Sequence, residues 1–317
     1  MDFFQANPAL SVLAEQVLEA TWQEFPWLDR QEIALTWLLY APPISVNTGG
    51  SLTAEEFWQY PVQGFSYRGS AQIYPASVVK LFYLVAYHEW LQGNMLGADP
   101  ELERAVRDMI VDSSNDATGL VMDMLSGTTS GPALASGPFQ TWQYQRNIVN
   151  RYFQSLGWPE LDGINVNQKT WCDGPYGREE QFVGSDRHNR NRLSTNATAR
   201  LIHSIVGGVA VSAQASQEML GLMSRSLVKA DLEADPENQV QGFLGEGVPD
   251  SAKVWSKAGL TSWVRHDAAY IELPDRCPYT LVVFLDSKPA STNGAVLPFI
   301  SRQFAERIPP LEGTGIL

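Results

Sequence analysis

The chain has 317 residues, 44% of them hydrophobic and 18% charged. That suits a large core, in one domain or two intimately packed subdomains, and excludes a disordered chain. A formal charge of −13 repels phosphate backbones and argues against nucleic acid as a partner.

In chain order, the first segment carries acids and no basic stretch. It reads as an amphipathic helix through Leu10, Leu13, Val17 and Leu18, not as a secretory signal. No apolar run is long enough to span a membrane. The expectation is a chain with no membrane partner, cytoplasmic as it stands, or periplasmic or secreted if a signal has been removed. Glu32 to Tyr40 is a continuous apolar run stopped by Pro42-Pro43, which predicts a buried strand, with a second strand near Gly64 to Tyr67. A helix apolar nearly all round starts at or near Ser77 and stops at Gly93-Asn94, so it is expected to be central. Helices over Pro100 to Ile110 and Asp116 to Met124 follow. A Gly/Ser/Pro/Thr-rich linker, Ser126 to Pro138, then leads to a helix through Tyr144 to Leu156. Gly157 to Arg192 is a long polar stretch of the kind that is functional or mobile. Ser194-Thr195 can cap a helix through Ala199 to Val206, and another helix covers Ser216 to Leu227. Lys253 to Leu260, Asp267 to Leu273 and Thr280 to Asp286 read as strands, and Phe299 to Arg307 as a closing helix.

This order predicts an α/β chain of the α+β type. A five-stranded, mostly antiparallel sheet is built from both chain ends and flanked by terminal helices. Residues 1–75 and 230–317 would form the sheet subdomain and 76–229 an inserted helical one. The two cysteines, Cys172 and Cys277, are far apart in sequence; one bridge and two free thiols both stay open.

Three motifs carry chemistry. In Ser77-Val78-Val79-Lys80 the spacing puts both polar side chains on one helix face. Burial would lower the lysine pKa and let it take the serine proton. The bland alternatives are a helix cap for Ser77 and a snorkelling surface lysine for Lys80. Ser226-x-x-Lys229 shows the same pattern, but it follows both candidate second motifs. In Ser113-Ser114-Asn115 a hydroxyl can relay a proton and an amide can hold a carbonyl; a cap is the alternative. Ser194-x-Asn196 competes and reads as a cap, while Ser45-x-Asn47 and Ser291-x-Asn293 fall out of order. In Lys257-Ala258-Gly259 a strand glycine lets another backbone approach, and the N–H of Leu260 lies just beyond. Arg265 can clamp a carboxylate or be a solvated turn residue. His88, His188, His203 and His266 lack metal-ligand spacing, and no P-loop, dinucleotide fingerprint or nucleophile elbow occurs. Neither metal nor cofactor is expected.

In order and setting, these motifs resemble the penicillin-binding and serine β-lactamase superfamily, and class A β-lactamases most of all. The stretch Met109 to Thr118 is especially similar to that family's helix leading into its Ser-x-Asn motif. The resemblance implies a β-lactamase/transpeptidase-like fold and an acyl-enzyme on Ser77, with Lys80 as proton acceptor. It implies that Ser113 passes a proton to the leaving nitrogen and that Asn115 holds the substrate amide. Lys257 would position the substrate carboxylate. The N–H groups of Ser77 and Leu260 would form an oxyanion hole beside Gly259, and Arg265 would bind carboxylate. The implied substrate is a small β-lactam or peptide-like amide, taken by a monomer. Two other readings stay open: a D-Ala-D-Ala-type peptidase or esterase acylated by penicillins, and a non-catalytic ligand-binding relative.

The chain departs from the family pattern in four places. Ala258 stands where Thr or Ser is usual, and Ser114 replaces the commoner Asp. The segment between the first two motifs is short. No Glu occurs in Val166 to Trp171, where the deacylating Glu belongs, which leaves Glu179 and Glu180, with Glu160, as candidate bases.

Overall fold

The computed structural model describes residues 3–41, 47 and 49–310. Pro42-Pro43, the predicted strand stop, and Ser45 lie outside the described residues. Among the described residues the elements run β1 (Phe4–Ala6), α1 (Pro8–Glu24), β2 (Ile33–Leu39), α2 (Ala54–Phe57), β3 (Val62–Tyr67), α3 (Lys80–Gln92), α4 (Pro100–Val111), α5 (Asn115–Ser126), α6 (Ser136–Arg146), α7 (Ile148–Ser155) and α8 (Gly177–Val183). They continue with α9 (Thr195–Val206), α10 (Ala213–Met223), β4 (Ser224–Arg225), α11 (Lys229–Ala234), β5 (Lys253–Leu260), β6 (Val264–Glu272), β7 (Tyr279–Asp286), α12 (Lys288–Thr292) and α13 (Val296–Arg307).

The chain divides into two compact units. One takes in everything up to Ala71 and from Ser194 onward; the other is Gln72–Leu193. In the first unit the strands order as β1-β3-β2-β7-β6-β5-β4. All pairs are antiparallel except β1 with β3. A mostly antiparallel sheet from both chain ends was expected. The described strands number seven, not five, because β1 and β4 span three and two residues and show no alternation to read.

β2 is buried at all seven positions because both its faces are covered. Ile33, Leu35, Trp37 and Leu39 join Leu10, Val17 and Leu18 of α1 and Ile300 and Phe304 of α13 in one apolar core. From the alternate positions, the Thr36 hydroxyl donates to Asn196 Oδ1 (2.7 Å) and lies within hydrogen-bond distance of the Thr195 hydroxyl (2.8 Å) at the start of α9. Asn7 caps α1 by accepting from Ala9 and Leu10, and Pro8 starts it where no N–H is needed. The Ser194 hydroxyl caps α9, as its sequence predicts. However, α9 and α10 belong with the sheet, not with the helical insert that was expected to run to residue 229. α9 is apolar on almost every side and packs on β2, β6 and β7.

In the second unit α3 is buried from Lys80 to His88 and again at Trp90, and packs against α4, α5 and α7. The helix expected through Tyr144 to Leu156 is two helices, α6 and α7, with Asn147 between them. Residues 157–192 contain a 3₁₀ turn, Pro159–Leu161, and α8. Positions 164–170 are buried without a break. Amides hold them there. Asn150 Oδ1 accepts from Val166 N–H (2.7 Å), and Asn191 Oδ1 accepts from the N–H groups of Asn167 (3.1 Å) and Gln168 (2.9 Å). Asn191 Nδ2 and the Tyr83 hydroxyl both donate to Gln168 O. Asn165 donates to Asn189 and to the carbonyl of Arg190. Within the stretch expected to be functional or mobile, positions 164–170 are therefore packed, with several backbone polar groups satisfied from the side, while 172–174 and 185–188 are exposed. Cys172 and Cys277 are both free thiols, the first exposed and the second buried.

Candidate active site

Ser77 lies in a 3₁₀ turn, Ala76–Val79, and α3 begins only at Lys80. The Lys80 N–H donates back to the carbonyls of Ser77 and Val78. A 3₁₀ turn eclipses side chains three apart, so it aligns Ser77 and Lys80 more strictly than the expected α-helix would. Ser77 does not act as a cap: the cap position is Pro75, and no side chain caps the turn. Lys80 does not snorkel: it is 0% exposed. Ala76, just before the serine, has φ +46°, a left-handed conformation that an alanine adopts only under constraint.

The Lys80 Nζ donates to Ser113 O at 2.5 Å, to Asn115 Oδ1 at 3.0 Å, to Ser113 Oγ at 3.2 Å and to Ser114 O at 3.4 Å. Ser113 has φ +55°, and this turn brings its carbonyl and hydroxyl to one side. The capping role goes to Ser114, whose Oγ accepts from Ala117 N–H at 3.2 Å. That division of labour leaves Ser113 and Asn115 to face the lysine. Burial pulls the Lys80 ammonium down to about 7, against a smaller opposing influence of the Cys172 sulfur. Asn115 Nδ2 donates to that sulfur at 3.4 Å. Among the described residues no carboxylate is bonded to Lys80.

Glu179 and Glu180 sit on α8 with different fates. Glu180 is exposed. Glu179 is fully buried, and its Oε1 accepts from Arg146 Nη2 (2.7 Å) and from Ser130 Oγ (2.8 Å). Asp123 joins Arg146 (3.0 Å) to Lys169 (2.7 Å), and Lys169 also donates to Ser130 (2.8 Å). A base must meet water and be free to take its proton. The Glu179 oxygen that faces this cluster is already an ion-pair anchor, which counts against the expected role. Glu160, in the 3₁₀ turn, is half-buried.

The remaining candidates belong to the first unit. Lys257 is 0% exposed; its Nζ donates to Gln239 Oε1 (2.5 Å) and to Ala258 O (2.9 Å). β5 pairs with β6 from Lys253 to Leu260, but β4 faces only Val254 and Trp255. Beyond Trp255 no strand pairs with β5 on that side among the described residues; there the Gln239 side chain accepts from the Ala258 N–H (3.1 Å), and only Leu260 is exposed. Arg265 lies opposite Leu260. It donates to the carbonyls of Ser291 and Gly242, both at 3.1 Å, which makes it a brace for two loops. Asp267, buried on β6, accepts from the N–H groups of Leu244 and Ala268, and burial pushes its carboxyl up to about 6.

The structure thus brings Ser113 and Asn115 onto Lys80, and sets Ser77 one eclipsed turn before it. Sequence reasoning missed Asp123, Ser130, Arg146, Lys169 and Cys172 on that unit, and Gln239 and Asp267 on the other. One signal was legible: Asn115, Gly119 and Asp123 repeat every four residues, along one face of α5.

A model of the β-lactamase enzyme family matches residues 90–307, beginning after the Ser77 and Lys80 motif. The fold is similar to a β-lactamase from Sphaerobacter thermophilus, at 16% identity and TM-score 0.59, covering 93% of this chain and 98% of that one. It is similar to PBP-A, at 14% identity and TM-score 0.59, covering 96% and 97%. It is also similar to a β-lactamase from Xanthomonas campestris, at 14% identity and TM-score 0.60, covering 93% and 98%. At such identities the likeness speaks for fold alone. No curated protein sequence matches significantly. The family match, however, runs from α3 to the last residue of α13 and so takes in both the turn at Ser113 and the strand at Lys257: the chain belongs to the β-lactamase enzyme family.

Proposed function

We propose that the chain is a serine hydrolase that opens the amide of β-lactams through an acyl-enzyme on Ser77. The observation that carries this reading is Lys80: a fully buried amine, close to half-deprotonated at neutral pH, ringed by Ser113 and Asn115 and one eclipsed turn from a hydroxyl. The uncharged amine takes the Ser77 proton as Oγ attacks the carbonyl carbon. The carbon–nitrogen bond breaks, Ser113 hands its proton to the departing nitrogen, and Lys80 returns the proton it took from Ser77 to the Ser113 oxygen 3.2 Å away. Water then cleaves the ester and frees Ser77. The Ser77 N–H lies in the first turn of its helix, where no intrahelical acceptor exists, and is suited to hold the developing oxyanion. For the first unit we propose the roles that the resemblance assigns: carboxylate attraction by Lys257 and a second oxyanion donor at Leu260.

The test is intact-mass spectrometry after incubation with benzylpenicillin. A mass gain of one penicilloyl group that is absent in Ser77→Ala supports the reading; full labelling of Ser77→Ala sinks it. A second reading, a penicillin-acylated peptidase that releases its ester slowly, draws on one specific observation: Lys80 has no carboxylate partner among the described residues, and Glu179 is bound to Arg146. Burst-limited nitrocefin turnover, with the ester persisting by mass, would favour that reading; sustained turnover would favour the first.

A further inference from the structure

A cleft of about 570 Å³ opens within the second unit, directly beyond Asn115. Its lining includes Asp116, Asp123, Lys169, Thr170, Trp171 and Asp173, with Tyr176 at the rim. Asn115 joins it to the proposed chemistry. The amide oxygen of Asn115 accepts from Lys80, while its nitrogen is turned to Cys172, which also lines the cleft. A substrate whose amide sits at Asn115 would extend its acyl arm into this space.

The charges in the cleft do not cancel. Asp123 and Lys169 pair with each other, and Arg146 pairs with Glu179 behind them. Asp116 and Asp173 are exposed and form no ion pair among the described residues, which leaves two negative charges facing the space. Trp171 and Tyr176 stand edge to face with ring centroids 6.0 Å apart; Lys169 Nζ already lies 5.8 Å over the Trp171 ring, so the exposed Tyr176 is the ring left to attract a further cation. An independent observation also points to a ligand. Thr170 is only 8% exposed, lines the cleft, and its hydroxyl has no hydrogen-bond partner among the described residues. Buried hydroxyls are nearly always bonded, so one lining a cleft is available to a polar group placed there.

We propose that this cleft is a subsite for an acyl arm that bears an ammonium group beside an apolar or aromatic portion, and that it selects against anionic arms. The proposal rests on Ser77 being the acylated residue. The apolar part would lie on Trp171 and Leu120, the ammonium toward Asp116 and Asp173, and a polar atom of the arm at Thr170.

The test compares three penicillins whose arms differ by one substituent on the same carbon: aminobenzyl, benzyl and carboxybenzyl. Acylation rate constants are read by intact mass at about pH 6.5, where the arm's amine is mostly protonated. The expected order is aminobenzyl, then benzyl, then carboxybenzyl, with about tenfold between the extremes from two uncancelled charges at close range. In Asp116→Asn/Asp173→Asn that ratio should fall to about twofold. Equal rates in the wild type, or a ratio unmoved in the double variant, would overturn the subsite. Should no penicillin add mass to Ser77, the reading of the nucleophile fails, and binding still decides the subsite. Phenylglycinamide cation, titrated by NMR, should then bind more tightly than phenylacetate and lose that preference in the double variant. Equal binding would reject the subsite by itself.

Discussion

The buried amine of Lys80 gives the sharpest prediction. Burial takes it from its ordinary 10.5 to about 7, a difference of about 5 kcal/mol against the ammonium at 1.36 kcal/mol per pH unit. Two measurements follow. If the uncharged amine is the base, the reactive fraction is about 1% at pH 5 and about half at pH 7, so acylation of Ser77 should speed up roughly fifty-fold over that range and then level off. Stability must move with it. The unfolded chain holds this proton up to about pH 10.5, the folded chain only up to about pH 7. Between those values the folded state binds fewer protons, so its stability rises with pH, by about 2 kcal/mol from pH 7 to 9. Lys80→Met removes the titration, so the wild type should gain that much relative to the variant over the same interval. Stopped-flow acylation by a fluorescent penicillin measures the first effect, and urea unfolding of both proteins measures the second. Parallel stability curves together with a pH-independent acylation rate would mean that Lys80 stays charged, and the proposed mechanism would fall.

Three further outcomes are expected. Glu179→Gln leaves the Arg146 guanidinium with Asp123 as its one carboxylate partner and should cost about 1–3 kcal/mol in urea unfolding; a fully stable variant that accumulates acyl-enzyme would instead make Glu179 the base. Asn191→Ala orphans the N–H groups of Asn167 and Gln168 and should cost about 2–5 kcal/mol, with faster proteolysis within residues 164–170. Asp267 carries a carboxyl raised from 3.8 to about 6, so its charge weighs against folding above pH 6 and that cost is lost by pH 4. Asp267→Asn should therefore lack the relative gain in stability that the wild type shows as pH falls from 6 to 4; identical pH dependence would refute the assignment.

Much of the fold could be read from the chain because its signals are long. β2 is a seven-residue apolar run, α3 is apolar nearly all round, and Ser194 caps α9 through its hydroxyl. β1 and β4 gave no signal because two or three residues carry no period. α9 was assigned to the wrong body because an all-apolar helix says that it is buried but not against what. In the candidate site, the motif spacing singled out Ser77, Lys80, Ser113 and Asn115, and the last two do bond Lys80. It did not reveal the 3₁₀ turn or the left-handed Ser113, since each depends on packing around a residue that carries a side chain. The fate of Glu179 turns on Arg146, thirty-three residues away, and no local pattern announces that pairing.

The amide lattice beneath residues 164–170 has a consequence for how this protein responds to its medium. Asparagine and glutamine side chains neither gain nor lose protons in water, and neutral dipoles are little screened by salt. The backbone from Val166 to Gln168 should keep its shape from acid to base and from dilute buffer to brine. Loss of that shape in acid or brine would then trace to the ion pairs of Lys169 and Arg146 with Asp123 and Glu179, not to the amides.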